Sequence, residues 1–293
     1  MTVPFPEDDW ATEPSERSWT PGAAHPGHRP RPHERPPSWL LSGTDAGRAI
    51  TGAGLSALGY HILLAAPRGD GHPVLVLPGL GAGDWSTIVL RRTLHHLGYA
   101  VHGWDLGRNR GPTADVIEQV PQRVASLADR FERRVSLVGW SLGGIYAYAA
   151  ARTHPGLVRQ VITLGSPVRM THPAQTRAMA YYRWNAHRHV PERLLPPSEW
   201  DQPPLKMPAT SILSRCDGIV AYRASMLPPG ANRANIAVMS SHFGLGQHPA
   251  VLWAVADRLA QPEDDWRPFR PPLMLRMLFP TLPELAGEAV RTR

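Results

Sequence analysis

One short stretch constrains the fold of this chain more than any other. Gly139-Trp140-Ser141-Leu142-Gly143 follows an apolar run (Val135, Leu137, Val138) and precedes a run of small residues (Gly144, Ile145, Ala147, Ala149, Ala150). The apolar run reads as a buried strand and the small-residue run as a helix lying close against it. Glycines on both sides of Ser141 let strand and helix approach without side-chain clashes, leaving the hydroxyl exposed on a sharp turn. A serine in an ordinary glycine-rich turn needs neither the strand before it nor the helix after it.

The same alternation runs through most of the chain. Residues 73–77 (Pro-Val-Leu-Val-Leu) form a short apolar run, the signature of a strand buried on both faces of a parallel sheet. Pro78-Gly79-Leu80-Gly81-Ala82-Gly83 follows, and Asp84 is read as the cap of a helix reaching about residue 97. Further strands are expected at 100–104, 135–138, 158–164, 210–213 and 236–239, with helices at 114–133 and 142–152 and an irregularity at Pro121. Asn109-Arg110-Gly111-Pro112 reads as a turn. Alternating strands and helices imply right-handed crossovers, a mostly parallel sheet and a ligand crevice at the carboxyl ends of its strands.

With 293 residues, 42% of them hydrophobic, the chain is long enough for one sizeable α/β domain. Its 32 prolines are unevenly spread. Residues 1–40 are rich in proline, histidine and charge, with little apolar surface to offset the entropy of ordering, so a disordered tail is expected there and a folded domain over 41–293. His25, His28 and His33 in that tail lack a scaffold that would fix a metal's geometry. The net charge of +7 comes from scattered arginines, with Lys206 the only lysine, and forms no basic stripe with interleaved aromatics; no nucleic-acid partner is expected. Cys216 stands alone, which excludes an intrachain disulfide. Residues 1–10 carry Glu7, Asp8 and Asp9 in place of the apolar core of a signal peptide, and residues 50–66 are too short and glycine-rich to span a bilayer, so they are read as a buried helix. A cytoplasmic protein is the resulting expectation.

On the Gly139–Gly143 turn and its flanking strand and helix, the sequence resembles the α/β-hydrolase superfamily, in its esterase and lipase branch. The resemblance covers roughly residues 71–260 and implies the α/β-hydrolase fold, a mostly parallel central sheet with flanking helices and a short cap or lid insertion. It makes Ser141 the nucleophile. One oxyanion donor is then the N–H of Leu142, after the nucleophile; the other is Leu80, in Pro78-Gly79-Leu80, where proline stands in place of the family's usual histidine. The family order is serine, acid, histidine. Asp217 follows an apolar run and matches the acid turn, whereas Asp201 precedes that run and Asp257 lies in a helical pattern. His242, in Ser241-His242-Phe243-Gly244, matches the base, with His248 as the near rival beside Pro249. Serine at the turn argues against epoxide hydrolases and dehalogenases of this fold, which carry aspartate there. No His-Glu-x-x-His or clustered Cys/His pattern is present, so neither metal nor cofactor is expected.

These residues imply a serine hydrolase that cleaves carboxylic esters, with a small-molecule or lipid-like acyl ester as substrate. An acyltransferase or thioesterase would use the same acyl-enzyme, and a non-catalytic binding protein on the same scaffold is the third reading. Residues 168–207 occupy the position of the family's cap, and their aromatics (Tyr181, Tyr182, Trp184) suit either an acyl pocket or the cap's own small core. Trp140 suits the pocket wall and the packing beneath it equally. The apolar segment 271–279 is read as packing on the domain, with a dimer contact and a weak peripheral membrane contact as its other outcomes. Oligomeric state is not legible.

Overall fold

Among the described residues, six strands build one fully parallel sheet in the order β2-β1-β3-β4-β5-β6. They are β1 (Pro73–Leu77), β2 (Ala100–Gly103), β3 (Val135–Trp140), β4 (Val158–Leu164), β5 (Ala209–Ser214) and β6 (Arg233–Val238). The computed structural model describes residues 35–281 apart from 59–61, 64, 196–198, 200–201 and 264. The tail expected over residues 1–40, with His25, His28 and His33, falls largely outside the described residues.

Central strands buried on both faces must read as continuous apolar runs, and β1, β3 and β4 are buried at every position. Within β1 the side chains divide with the period of two that a strand imposes: Leu75 and Leu77 join one core, Val74 and Val76 the other. The first core is covered by α3 (Ala114–Phe131), which buries Val116, Val120, Val124 and Leu127 at helical spacing, and by α4 (Leu142–Thr153). The second is covered by α2 (Ile88–His96), through Leu90 and Leu94, and by α7 (Pro249–Leu259). Each buried aliphatic side chain contributes about 1.5–3 kcal/mol. The three layers are therefore helix, sheet and helix.

The chain leaves β1 for β2 on one side and returns to place β3 on the other, so the strand order reverses between β1 and β3. In an open parallel sheet the crevice at such a reversal is the natural ligand site. The loop after β1 carries Leu80, and the turn after β3 carries Ser141.

Local details depart from the sequence reading. Asp84 opens a short 3₁₀ turn (Asp84–Thr87), and its carboxylate accepts the N–H groups of Trp104 and Asp105 beyond β2, where no helix is capped. Helix α3 continues through Pro121 and ends at Glu132, whose φ of 50° is left-handed. The first helix, α1 (Trp39–Leu58), starts eleven residues before the expected position at 50; Ile50 is exposed, and Asp45 and Ala49 are the buried side chains of its first half. The remaining helices are α5 (Met179–Trp184) and α6 (Tyr222–Ser225). In segment 271–279, Leu275, Leu278 and Phe279 pack on the second core, while Leu273, Met274 and Met277 face outward. No described helix is long and apolar enough to cross a membrane.

Candidate active site

Ser141 sits between β3 and α4 with φ 53° and ψ −121°, a left-handed backbone that a residue with a side chain adopts at a cost of about 1–3 kcal/mol. The strain is held from both sides. Its N–H donates to the carbonyl of Leu164 at the end of β4 (2.9 Å), and its carbonyl accepts from Gly144 (3.0 Å). A Cβ at Gly139 would lie 2.3 Å from the Cα of Gly144, and one at Gly143 would lie 2.3 Å from the Leu77 carbonyl oxygen. Only glycines permit this approach of β1, β3 and α4.

The N–H of Leu142 is the first of α4 and has no intrahelical acceptor. Among the described hydrogen bonds neither it nor the N–H of Leu80 donates to any group. The loop carrying Leu80 is braced by Asn109, a buried residue that sequence reading passed over as part of a turn. Its Nδ2 donates to the Pro78 carbonyl (2.9 Å), while its own carbonyl accepts from Gly81 (2.7 Å) and its N–H donates to Ala82 (2.7 Å). Asparagine in a turn is common, and only its burial reveals this role.

Asp217 follows β5 and His242 follows β6; both are buried, and Asp217 Oδ2 lies 2.7 Å from His242 Nδ1. The other carboxylate oxygen accepts from the N–H groups of Ile219 (2.8 Å) and Val220 (2.7 Å), which fix its direction. Burial alone would lower the proton affinity of His242, but the charge and hydrogen bond of Asp217, with the charge of Asp45, raise its pKa above the ordinary imidazole value. The rival His248 is placed otherwise. Its Nδ1 accepts the Ala250 N–H at the start of α7, making it a helix cap, and burial holds its pKa down.

Ser141 and His242 open onto one cavity of about 690 Å³, whose wall also includes Leu80, Trp85, Tyr181 and Phe243. No hydrogen bond joins the Ser141 hydroxyl to His242, a contact that is often long until substrate binds. Trp140 both lines this cavity and packs against Gly246. In segment 168–207 the side chains divide likewise: Tyr181 faces the cavity, Met179 and Tyr182 are buried in the first core, and Trp184 is exposed. Cys216 is partly buried, next to the acid in the chain. Among the described residues no three His, Cys, Asp or Glu side chains converge as metal ligands.

Comparison with known proteins agrees with this architecture. Residues 74–291 match the model of the alpha/beta hydrolase family. A serine hydrolase, BPHL, of Mus musculus is 31% identical over 134 residues, 43% of this chain and 46% of that one. A pimeloyl-[acyl-carrier protein] methyl ester esterase of Sodalis glossinidius is 38% identical over 94 residues, 31% of this chain and 34% of that one. The chain thus spans less than half the length of these curated relatives. Among solved structures, a PytH variant superposes with a TM-score of 0.52 at 16% identity, over 67% of this chain and all of that one, a likeness of fold alone. The match over most of its length places the chain plainly: it belongs to the alpha/beta hydrolase family.

Proposed function

We propose that this member of the alpha/beta hydrolase family is a serine hydrolase that cleaves carboxylic esters through an acyl-enzyme. The observation that carries the reading is the buried His242–Asp217 contact of 2.7 Å, with His242 on the wall of the same cavity as the strained Ser141. Ser141 attacks the ester carbonyl and His242 takes its proton, then returns it to the leaving alcohol. Asp217 fixes the imidazole's orientation and stabilises its charged form. The N–H groups of Leu80 and Leu142 stabilise the oxyanion, a contribution of about 3–4 kcal/mol for each donor. Water then repeats the sequence on the acyl-enzyme and releases the acid.

The cavity wall of Trp85, Ile88, Val89, Tyr181 and Phe243 suits an apolar acyl or alcohol portion. Segment 168–207 acts as its cap, with Arg177, Ala178 and Tyr181 on the wall. The names of the two relatives, a serine hydrolase and a methyl ester esterase, support the same bond type. Ser141→Ala is expected to lower turnover of a p-nitrophenyl ester by about four to six orders of magnitude with the fold unchanged. Unchanged turnover in that variant overturns the reading.

A further inference from the structure

Helix α1 contributes a carboxylate to the catalytic end of the sheet from ahead of residues 50–66, the stretch read as a buried helix. Asp45 is fully buried. Its Oδ2 accepts the N–H of Gly218 (2.8 Å) and the N–H of His242 (2.9 Å), and its Oδ1 accepts the N–H of Phe243 (3.0 Å). One of these donors follows Asp217 directly, and another belongs to His242 itself. The two loops leave neighbouring strands, β5 and β6, and Asp45 bridges them from a distance of 173 to 198 residues along the chain.

Further bonds hold the helix in that place. The Ser42 hydroxyl donates to the Gly218 carbonyl, Arg48 donates to the Cys216 carbonyl (2.8 Å), and Gln247 donates to the Ala49 carbonyl (3.1 Å). A Cβ at Gly218 would stand 2.2 Å from the Leu41 carbonyl oxygen, so helix and acid turn also meet backbone to backbone. A buried carboxylate is costly unless its oxygens are satisfied, and three N–H donors with Arg48 close by satisfy this one.

Taking the hydrolase reading above as its basis, we infer that Asp45 is a positioning residue, whose carboxylate sets the spacing between the acid turn and the base loop so that Asp217 and His242 meet in register. It touches neither substrate nor the reacting atoms. It acts through the backbone of both loops and, as a fixed negative charge, through the imidazole. The charged groups facing His242 are Asp217 on the acid turn and Asp45 on α1, with Arg48 behind Asp45.

The test compares full-length wild type, Asp45→Asn, Gly218→Ala and Ser141→Ala, each checked for folding by circular dichroism. The readouts are pH-resolved p-nitrophenyl ester kinetics and fluorophosphonate labelling of Ser141. Asp45→Asn keeps the volume but removes the charge and one full acceptor. It is expected to lower kcat by about a hundredfold, as for a small misplacement of reacting groups, with KM changed much less. Loss of the neighbouring anion weakens the hold of His242 on its proton, so the acidic limb of kcat/KM should move to lower pH. A folded Asp45→Asn protein with wild-type kcat and an unmoved limb overturns the inference. If that variant does not fold, Gly218→Ala decides: it keeps every titratable group but drives a methyl against α1, and wild-type kcat in it has the same overturning force. Wild-type protein that neither turns over ester nor labels at Ser141 removes the hydrolase reading, and the role of Asp45 with it. Labelling in wild type that is equally fast in folded Asp45→Asn removes the role of Asp45 alone.

Discussion

Two aspartate–histidine–serine sets lie at opposite ends of the sheet, and they differ in an instructive way. At the end where the strands begin, His72 Nδ1 bonds to the Asp70 carboxylate and His72 Nε2 lies 2.8 Å from the Ser136 hydroxyl. Every link of that relay is made. At the end where the strands finish, Asp217 and His242 are joined but the link to Ser141 is not. Hydrogen bonding alone would therefore point to Ser136.

Access and backbone geometry point instead to Ser141. Ser136 is fully buried within β3, whereas Ser141 sits at a left-handed φ on the wall of a large cavity. The partners differ as well. Asp70 also binds Arg133 (2.6 Å) and Arg159 (3.0 Å); against the opposing effect of burial, its bonds to His72 and Arg159 hold its carboxyl well below the usual carboxylate range. Burial pushes the pKa of His72 down; Arg159 and Arg133 add to that, and the hydrogen bond and charge of Asp70 oppose it. This set ties the starts of β1, β3 and β4 together. The imidazole of His242 is instead biased toward accepting a proton, as a general base requires.

The largest expected contrast lies in the acids. Asp217→Asn should lower kcat by about 10⁴-fold, because the amide favours the wrong imidazole tautomer, while the unfolding midpoint in urea stays near that of wild type. In wild type, His242 ionises above the ordinary imidazole value of 6.5, so the acidic limb of kcat/KM should lie above pH 6.5. A limb below that value would break the assignment of His242 as base.

Ser136→Ala should do the reverse. It leaves the buried His72 Nε2 without its partner, at a cost of about 1–3 kcal/mol in urea denaturation, with kcat unchanged. Because the folded pKa of His72 is lowered, the unfolded chain binds that proton more readily. The stability this gives is full above pH 6.5 and is lost as pH falls through the folded value; a His72→Gln variant should lack that part of the pH dependence. The smallest effect is expected of His248→Ala, which removes a helix cap, costs about 1 kcal/mol by the same measurement and leaves ester turnover intact. Loss of turnover there would move the role of base away from His242.

Much of this was legible because it is local. The strands announce themselves as apolar runs, and the elbow needs only strand, glycine, serine, glycine and small-residue helix within about twenty positions. Asp217 and His242 were found by their order after successive strands. Asn109 and Asp45 were not, since a turn asparagine and a helix aspartate carry no signal until their neighbours are known. The start of α1 was misplaced for a related reason: only residues 50–66 were read as a buried helix and Trp39 and Leu40 were left in the tail, yet all three of Trp39, Leu40 and Ile50 face outward while Asp45 faces in.

The sequence by itself determined the layered α/β architecture and the strained turn at Ser141, because both follow from periodicity and from the absence of side chains at Gly139 and Gly143. Only the tertiary structure decided which of two aspartate–histidine–serine sets meets a cavity, and which distant carboxylate spans the loops of Asp217 and His242. Contacts across 173 to 198 residues depend on how whole elements stack, and no local pattern encodes where a buried aspartate will find its donors.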